Sequence, residues 1–456
     1  MIEAEFAAGM ASDFHHESLS VANALLVTVF TELVRAEIRY CLLRGYDALG
    51  HASVAGDVDL LVAPSHLRRI RTALEQLGFV ALPRWGQAPH HFFIGYDESS
   101  DQWIKLDVVT EIVYGRPIPA LRTTLAGHCL RNRQLRGMVF VAGAEDELLI
   151  LLLHCLLDKG EFEPAYRARL LALAHEITRD QYMATEIARY FPPATSWEHI
   201  KQPITGNEWE ALLELRGAVA DRLMRADLLG TYWRQATRRL LRFLDHRTRT
   251  FRTQGLAVAL LGPDGAGKTT LARALSHTFY LPSRYIYMGT NAAGNAMTLP
   301  TRRWLVRMGG GHHRPIGRAL NKLHTIIEHG MRLFIGAYHR RRGRLVIFDR
   351  YNLGALATGQ SGPPVRKRLQ HAIMRKVSPP PALVIYLDAP AGVLYQRKGE
   401  HSPAVLEQQR QRFLQLLDGV SQSAVVNAER EPDQIRREVS ALVWRRYVVL
   451  MQDRMI

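Results

Sequence analysis

The stretch LLGPDGAGKTTLARAL, residues 260–275, decides how the second half of this 456-residue chain folds. It matches the pattern G-x-x-x-x-G-K-[ST], with Gly262, Gly267, Lys268 and Thr269 at the fixed positions. An apolar run precedes it and a helical pattern follows it. A glycine-rich turn between a strand and a helix points several backbone N–H groups at one phosphate, and the helix N-terminus adds its positive dipole end. We therefore predict a phosphate-binding loop here.

The same motif predicts the cofactors. A lysine at the position of Lys268 reaches the β- and γ-phosphates of a nucleotide, and a hydroxyl at the position of Thr269 binds Mg²⁺. ATP and Mg²⁺ are thus the expected cofactors. The other loop residues predicted to bind the nucleotide are Asp264, Gly265, Ala266 and Thr270.

Beyond the loop, buried strands alternate with helices, and the strands are predicted at 256–261, 345–349 and 383–388. This alternation indicates a parallel sheet with crossover helices. The strand in GRLVIFDRY ends at Asp349 and Arg350. Because ligands bind beyond the carboxyl ends of such strands, the aspartate is expected to hold Mg²⁺ and the arginine an acceptor phosphate. A structural ion pair at the strand end is the alternative.

Four segments occur in the order found in thymidylate kinases: LLGPDGAGKTTLARAL, VIFDRY, PPPALVIYLDAP and VVNAEREPDQIRREV. From residue 256 to about residue 445 the chain resembles that family. The resemblance implies a three-layer α/β fold with a five-stranded parallel sheet, and transfer of the γ-phosphoryl group of ATP to a nucleoside monophosphate. It places Asp264 towards the acceptor, Arg397 and Lys398 in a closing lid, and Asn427 near the adenine. The predicted catalytic residues are Lys268, Asp349, Arg350 and Arg397.

The acceptor side departs from that family. Thymidylate kinases carry a TREPGG-type loop after the second strand, whereas this chain has YIYMGTNAAGNAMTLPTRRW at residues 285–304. Residues 301–344 contain eleven lysines or arginines and one acid, Glu328. We therefore expect an anionic acceptor that is already phosphorylated, either a nucleotide or a sugar phosphate. A genuine dTMP kinase with an appended domain is the alternative.

A second motif, GDVDLLV, lies far upstream. Asp57 and Asp59 are two residues apart on a predicted strand, so both point to one face. Asp107, in WIKLDVV, lies on another predicted strand, on the face opposite its apolar neighbours. Three carboxylates on one sheet face can hold two Mg²⁺ ions for nucleotidyl transfer. The alternative is that these aspartates are capped or solvated.

The order LLRGY, AGDVDLLV, KLDVV resembles the nucleotidyltransferase superfamily from residue 38 to about residue 160. Gly45 corresponds to its phosphate-side glycine, although the usual Gly-Ser pair is Gly-Tyr here. The resemblance implies a nucleotidyltransferase-like module. Together with the kinase-like half, it is compatible with one chain that phosphorylates an acceptor and then nucleotidylates it. Two alternatives stay open: a nucleotidyltransferase that modifies a small molecule, RNA or protein with a regulatory P-loop domain, and a non-catalytic regulator that binds ATP.

These patterns predict an α/β protein in three parts: a nucleotidyltransferase-like domain (1–140), a helical middle region with a basic connector (141–252), and a P-loop kinase domain (253–456). The apolar fraction of 47% and charged fraction of 22% are ordinary for a globular protein. The middle region opens with AEDELLILLLHCLLDK, which we interpret as a buried helix. It ends in a strongly basic helix, interpreted as a connector with a solvated face; a membrane-surface helix is the alternative.

The net charge of +16 fits an anionic partner such as the nucleotide and its acceptor, and we expect no nucleic-acid partner. No apolar run is long enough to span a membrane, and the N-terminus lacks a signal-peptide pattern, so we expect a cytoplasmic protein. The cysteines Cys41, Cys129 and Cys155 lack CxxC spacing, so neither a disulfide framework nor a zinc site is indicated. A homodimer is left open.

Overall fold

The computed structural model describes residues 22–50, 56–82, 87–252, 255–289, 315–351, 381–399 and 401–453. The chain divides into two compact units, Met1–His246 and Arg247–Ile456. The first unit holds both the segment 1–140 and nearly all of the helical middle region, so the boundary predicted between those two parts stays a prediction. Most of the segment 285–304 lies outside the described residues.

The first unit contains a mixed sheet. Its strands are, in chain order, β1 (Tyr40–Leu42), β2 (Val58–Val62), β3 (Val80–Leu82), β4 (His90–Asp97), β5 (Gln102–Val109), β6 (Val113–Tyr114), β7 (Leu121–Arg122), β8 (Gln134–Arg136) and β9 (Val139–Val141). Seven of them form one sheet in the order β3-β4-β5-β2-β1-β9-β8, and β6 pairs with β7. β2 runs parallel to β5 and antiparallel to β1. Asp57 lies directly before β2, not within a strand as predicted.

Helices cover this sheet and continue beyond it. They are α1 (Ala24–Arg35), α2 (Leu67–Gln76), α3 (Leu125–Asn132), α4 (Ala144–Leu153), α5 (Pro164–Glu176), α6 (Asp180–Tyr190), α7 (Trp197–Gly206), α8 (Trp209–Glu214), α9 (Arg216–Ala226) and α10 (Leu228–Arg252). The end of α10 extends past His246, the last residue of the first unit. A π-helical turn, His154–Lys159, extends α4. Phe30 of α1 and Ile70 of α2 belong to the same buried core as Leu106 of β5, so these two helices bury one face of the sheet.

The helix α4 is surrounded by other parts of the first unit. Nine of its ten residues are buried, including the acids Glu145, Asp146 and Glu147 in its first turn. Negative charge is stabilised at a helix N-terminus, and the hydroxyl of Tyr182 donates to Asp146 at 2.6 Å. The prediction of a buried helix is confirmed.

No helix in the described part of the chain is both long and apolar enough to cross a membrane.

The second unit is built on a parallel sheet. Its strands are β10 (Ala257–Leu261), β11 (Ser283–Tyr287), β12 (Leu345–Asp349), β13 (Leu383–Asp388) and β14 (Ser423–Asn427). Its helices are α11 (Lys268–Thr278), α12 (Pro315–Arg341), α13 (Ala391–Lys398), α14 (Pro403–Leu417) and α15 (Pro432–Gln452). The strands lie in the order β11-β12-β10-β13-β14, and every neighbouring pair is parallel.

Burial on both faces explains the composition of the central strands. All five residues of β10 and all five of β12 are buried, as are five of the six residues of β13. A parallel sheet covered by helices on both sides needs near-continuous apolar strands instead of alternating ones. The predicted parallel sheet with crossover helices is confirmed, with the loop 262–267 joining β10 to α11.

We expect all three cysteine thiols to be unreactive in the folded protein. Cys41, Cys129 and Cys155 are buried, and burial raises the pKa of the Cys41 and Cys155 thiols to about 12 and that of Cys129 above its ordinary value. The reactive species is the thiolate, which is scarce at neutral pH under these conditions. Titration with Ellman's reagent should detect no thiol in native protein and three in denaturant. Rapid labelling of the native chain would contradict this burial.

Candidate active site

The loop between β10 and α11 depends on two glycines for different reasons. Gly265 has φ +90°, and a Cβ atom there would lie 2.9 Å from the backbone oxygen of Leu394 in α13. Gly267 has φ +86°, but a Cβ atom there would meet nothing within 4 Å. Both backbones are left-handed, which disfavours side chains. Only the first glycine is also required by close contact, which holds the loop against α13.

Lys268 begins α11 and is 6% exposed. Its ammonium group donates to the backbone oxygens of Gly262 at 2.9 Å and Pro263 at 2.7 Å. Burial is the main cause that lowers the pKa of Lys268 to about 8. The lysine therefore lies inside the curve of the loop, close to the N–H groups at the start of α11.

Two hydroxyl groups meet one carboxylate at the end of β12. Thr269 Oγ1 donates to Asp349 Oδ2 at 2.6 Å, and the hydroxyl of Tyr285 donates to the same oxygen at 3.0 Å. Asp349 is fully buried, and its Oδ1 atom has no hydrogen-bond partner within the described residues. A buried carboxylate oxygen without a partner is costly unless a cation or donor faces it. The oxygen atoms of Thr269 and Asp349 are ligands that suit Mg²⁺.

Side chains of opposite charge lie close to Thr269 and Asp349. The guanidinium group of Arg350 forms an ion pair with Asp264 of the loop, and Lys398 Nζ lies 4.0 Å from the same carboxylate. Arg350 has φ +64°, an uncommon conformation for a residue with a side chain. Its guanidinium carbon lies 5.9 Å from the centre of the Tyr287 ring. The structure thus brings together three residues predicted to face the acceptor or the transferred phosphoryl group.

Other predicted residues lie differently. Arg397 donates to the backbone oxygen of Ala428 at 2.8 Å. Asn427 is exposed, and its side chain accepts from the backbone N–H of Glu429 at 2.8 Å. Thr270 is also exposed. Their roles in lid closure and nucleotide binding stay predictions.

Sequence reasoning missed Tyr285 and the pair Asp388–Arg410. Tyr285 and Tyr287 alternate on β11 around the buried Ile286, so both point to one face. That alternation could have identified them. Arg410 binds both carboxylate oxygens of Asp388 at the end of β13, at 2.7 and 2.9 Å. Because those residues are 22 positions apart in different elements, no local pattern indicates their pairing.

The first unit places two of its predicted carboxylates side by side. Asp59 of β2 is the register partner of Asp107 of β5. Each of these aspartates also has a basic side chain beside it: Arg44 Nε lies 2.6 Å from Asp59, His90 Nδ1 lies 2.9 Å from Asp107, and Lys105 binds Asp57. Asp57 and Asp59 are therefore paired with cations, and Asp107 is hydrogen-bonded to an imidazole.

This pairing bears on the predicted metal site. Within the described ranges, no group of three or more His, Cys, Asp or Glu residues is arranged to hold a metal ion. Burial raises the pKa of Asp59, with the neighbouring Asp107 carboxylate acting in the same direction and Arg44 opposing both. Two-metal binding by Asp57, Asp59 and Asp107 stays a prediction, and it requires the carboxylates to exchange their ion-pair partners for metal.

Comparison with known proteins gives a structural likeness to a solved structure. No family model matches the chain, and no curated protein matches it. A thymidylate kinase from Candida albicans matches at 17% sequence identity, with a TM-score of 0.30, over 42% of this chain and 91% of that protein. A likeness of this size supports no conclusion about activity.

We expect Gly265→Ala to destabilise the second unit more than Gly267→Ala. Both variants force a side chain into a left-handed backbone, which costs about 1 to 2 kcal/mol. Only the first also drives a Cβ atom against the Leu394 oxygen, and such overpacking adds about 1 to 3 kcal/mol. Urea unfolding followed by circular dichroism measures both. Equal destabilisation would show that α13 does not press on the loop.

Proposed function

We propose that the second unit is an ATP-dependent phosphotransferase that phosphorylates an anionic small molecule. The observation that supports this most strongly is the contact of Thr269 with Asp349. It joins the first turn of α11 to the end of β12 and leaves a buried carboxylate oxygen without a partner. A phosphate-binding loop beside a hydroxyl and a carboxylate is the arrangement that nucleotide-dependent phosphoryl transfer needs.

The residues present fit ATP with Mg²⁺. The backbone N–H groups of the loop and the ammonium group of Lys268 would hold the phosphate chain, since both converge on the N-terminus of α11. Thr269 and Asp349 would hold the metal, which when bound supplies positive charge to the transferred phosphoryl group. The tight loop contributes positioning, and the burial of Lys268 strengthens its field by excluding water.

The acceptor is proposed from charge. Arg350 and Lys398 place two positive charges around one acid, Asp264, next to the loop. An acceptor that carries phosphate can take over the contacts of Arg350, since guanidinium groups bind phosphate oxygens in pairs. Tyr287 lies beside the same arginine and offers an aromatic surface. A phosphorylated nucleotide or sugar fits this set of groups.

We expect Asp349→Asn to lower Mg²⁺-dependent ATP turnover by about a hundredfold or more, because it removes a charged metal ligand worth several kcal/mol. Asp388→Asn is the matched control. It also neutralises a strand-end aspartate, but one that is paired with Arg410. A coupled enzyme assay measures the rate of ADP release by both variants in the presence of a mixture of sugar phosphates and nucleotides. Similar rates in the two variants would contradict the proposed role of Asp349.

A second assay separates this proposal from its alternatives. Purified chain is supplied with ATP, Mg²⁺ and single acceptors: dTMP, dUMP, other nucleoside monophosphates and sugar phosphates. Preferential turnover of dTMP would identify a dTMP kinase and overturn the argument for a different acceptor pocket. ATP binding by calorimetry, without turnover of any acceptor and without phenotype for Asp349→Asn, would favour a regulator.

The first unit carries a second candidate function, nucleotidyl transfer to a small molecule, RNA or protein. The supporting observation is the adjacent register of Asp59 and Asp107 on parallel strands. This activity requires metal to replace the ion-pair partners of the aspartates. We expect it to incorporate label from α-³²P-ATP and to be lost in the variant Asp57→Asn/Asp59→Asn. The matched control is Asp97→Asn, which neutralises an acid of β4 outside the cluster. Absence of label in the unmodified chain would remove this candidate.

A further inference from the structure

The helix α10 is held to the first unit by arginines. Arg234 donates to the backbone oxygen of Ala120 at 2.9 Å, Arg242 donates to that of Pro117 at 2.7 Å, and Arg238 donates to that of Pro119. These arginines are four residues apart, so they lie on one face of the helix. Arg238 is only 7% exposed. The inward face of α10 is therefore its basic face.

The outward face is apolar. Leu229 is 84% exposed, Trp233 72% and Leu240 58%, and their spacing of four and seven residues places them along one side of the helix. Tyr232 and Phe243, each 58% exposed, border them. We call Leu229, Trp233 and Leu240 the apolar stripe. This orientation is the reverse of a surface helix in a globular protein, which buries its apolar side.

Exposure of this stripe follows from the arginine contacts. Rotating α10 to bury the stripe would break three charge-assisted hydrogen bonds to the backbone of residues 117–120 and bring guanidinium groups outwards. Contiguous apolar surface on a protein usually marks a site that another apolar phase covers. The stripe is thus held outwards and is available to a partner.

The charges around the apolar stripe indicate which class of partner it binds. Residues 228–252 contain seven arginines and one acid, Asp245. Arg239 and Arg247 are exposed, and Arg247 lies seven residues after Leu240, on the side of the stripe. Trp, Tyr, Leu and Phe beside arginine are typical of helices that lie in the interface of an anionic bilayer. The net charge of +16 adds long-range attraction to the same surface.

We propose that α10 docks the first unit on an anionic lipid surface, with the apolar stripe inserted at the boundary between headgroups and acyl chains. Arg239 and Arg247 contact the lipid phosphates on the same side of the helix. The arginines of the opposite face keep the helix fixed to the protein and therefore set the orientation of the first unit on the membrane.

Vesicle flotation of the full chain tests this. We expect the protein to float with vesicles of phosphatidylglycerol and phosphatidylcholine, to stay unbound with phosphatidylcholine alone, and to be released as ionic strength rises, since the surface charges are screened. Failure to float with anionic vesicles would overturn the proposal, and equal binding to neutral vesicles would overturn the role given to the arginines.

Variants identify the stripe as the contact. Leu229→Glu/Trp233→Glu/Leu240→Glu should abolish flotation, whereas Leu135→Glu, which places a charge on a 38% exposed leucine of β8, should leave it unchanged. ATP turnover and circular dichroism should match the unmodified chain in both. If the triple variant binds as before, or if sedimentation velocity shows that it converts a dimer to a monomer, the stripe is not a lipid contact.

A spectroscopic measurement gives an answer that does not depend on the folding of the triple variant. Brominated phosphatidylglycerol quenches tryptophans that enter the lipid, so we expect it to quench the fluorescence of the unmodified chain. Trp233→Phe should still float but should lose most of this quenching. Undiminished quenching in that variant would place the lipid contact elsewhere and overturn the proposal.

Discussion

The hydrogen bond from Thr269 to Asp349 is the interaction on which the rest of the second unit depends. It connects the first turn of α11 to the end of β12, the strand next to β10 in the sheet. The register of these two strands sets the distance between the hydroxyl and the carboxylate. Tyr285 adds a second donor from β11. The strand order of the sheet therefore determines that the hydroxyls of Thr269 and Tyr285 meet the carboxylate of Asp349 at its carboxyl edge.

Sequence patterns predict this edge because the interactions that form it are local or follow a fixed rule. A glycine-rich turn after an apolar strand places Lys268 and Thr269 at a helix start, and the rule for parallel sheets places Asp349 at the same edge. The contact of Arg350 with Asp264 follows from the same geometry. The direction of the Arg397 side chain cannot be predicted in this way. Its hydrogen bond to Ala428 depends on how α13 packs against the segment after β14.

The carboxylate cluster of the first unit shows where such reasoning fails. The alternation of residues predicts correctly that Asp59 and Asp107 share a face. It says nothing of the side chains that contact the aspartates: Arg44 from the segment after β1, His90 from β4 and Lys105 from β5. Pairing with a cation depends on side-chain directions across strands, and these are fixed only by the assembled sheet. Whether a carboxylate is compensated therefore cannot be predicted from its own strand.

The close approach of Leu394 to Gly265 has a consequence for how this protein can change over generations. The atom that crowds the loop is a main-chain oxygen, and every amino acid at position 394 would supply the same oxygen. Substitution cannot widen the loop on this side; only a displacement of the whole of α13 can do so. Inherited variation in the size of the loop 262–267 is therefore expected as insertions and deletions around that helix, not as exchanges of single residues.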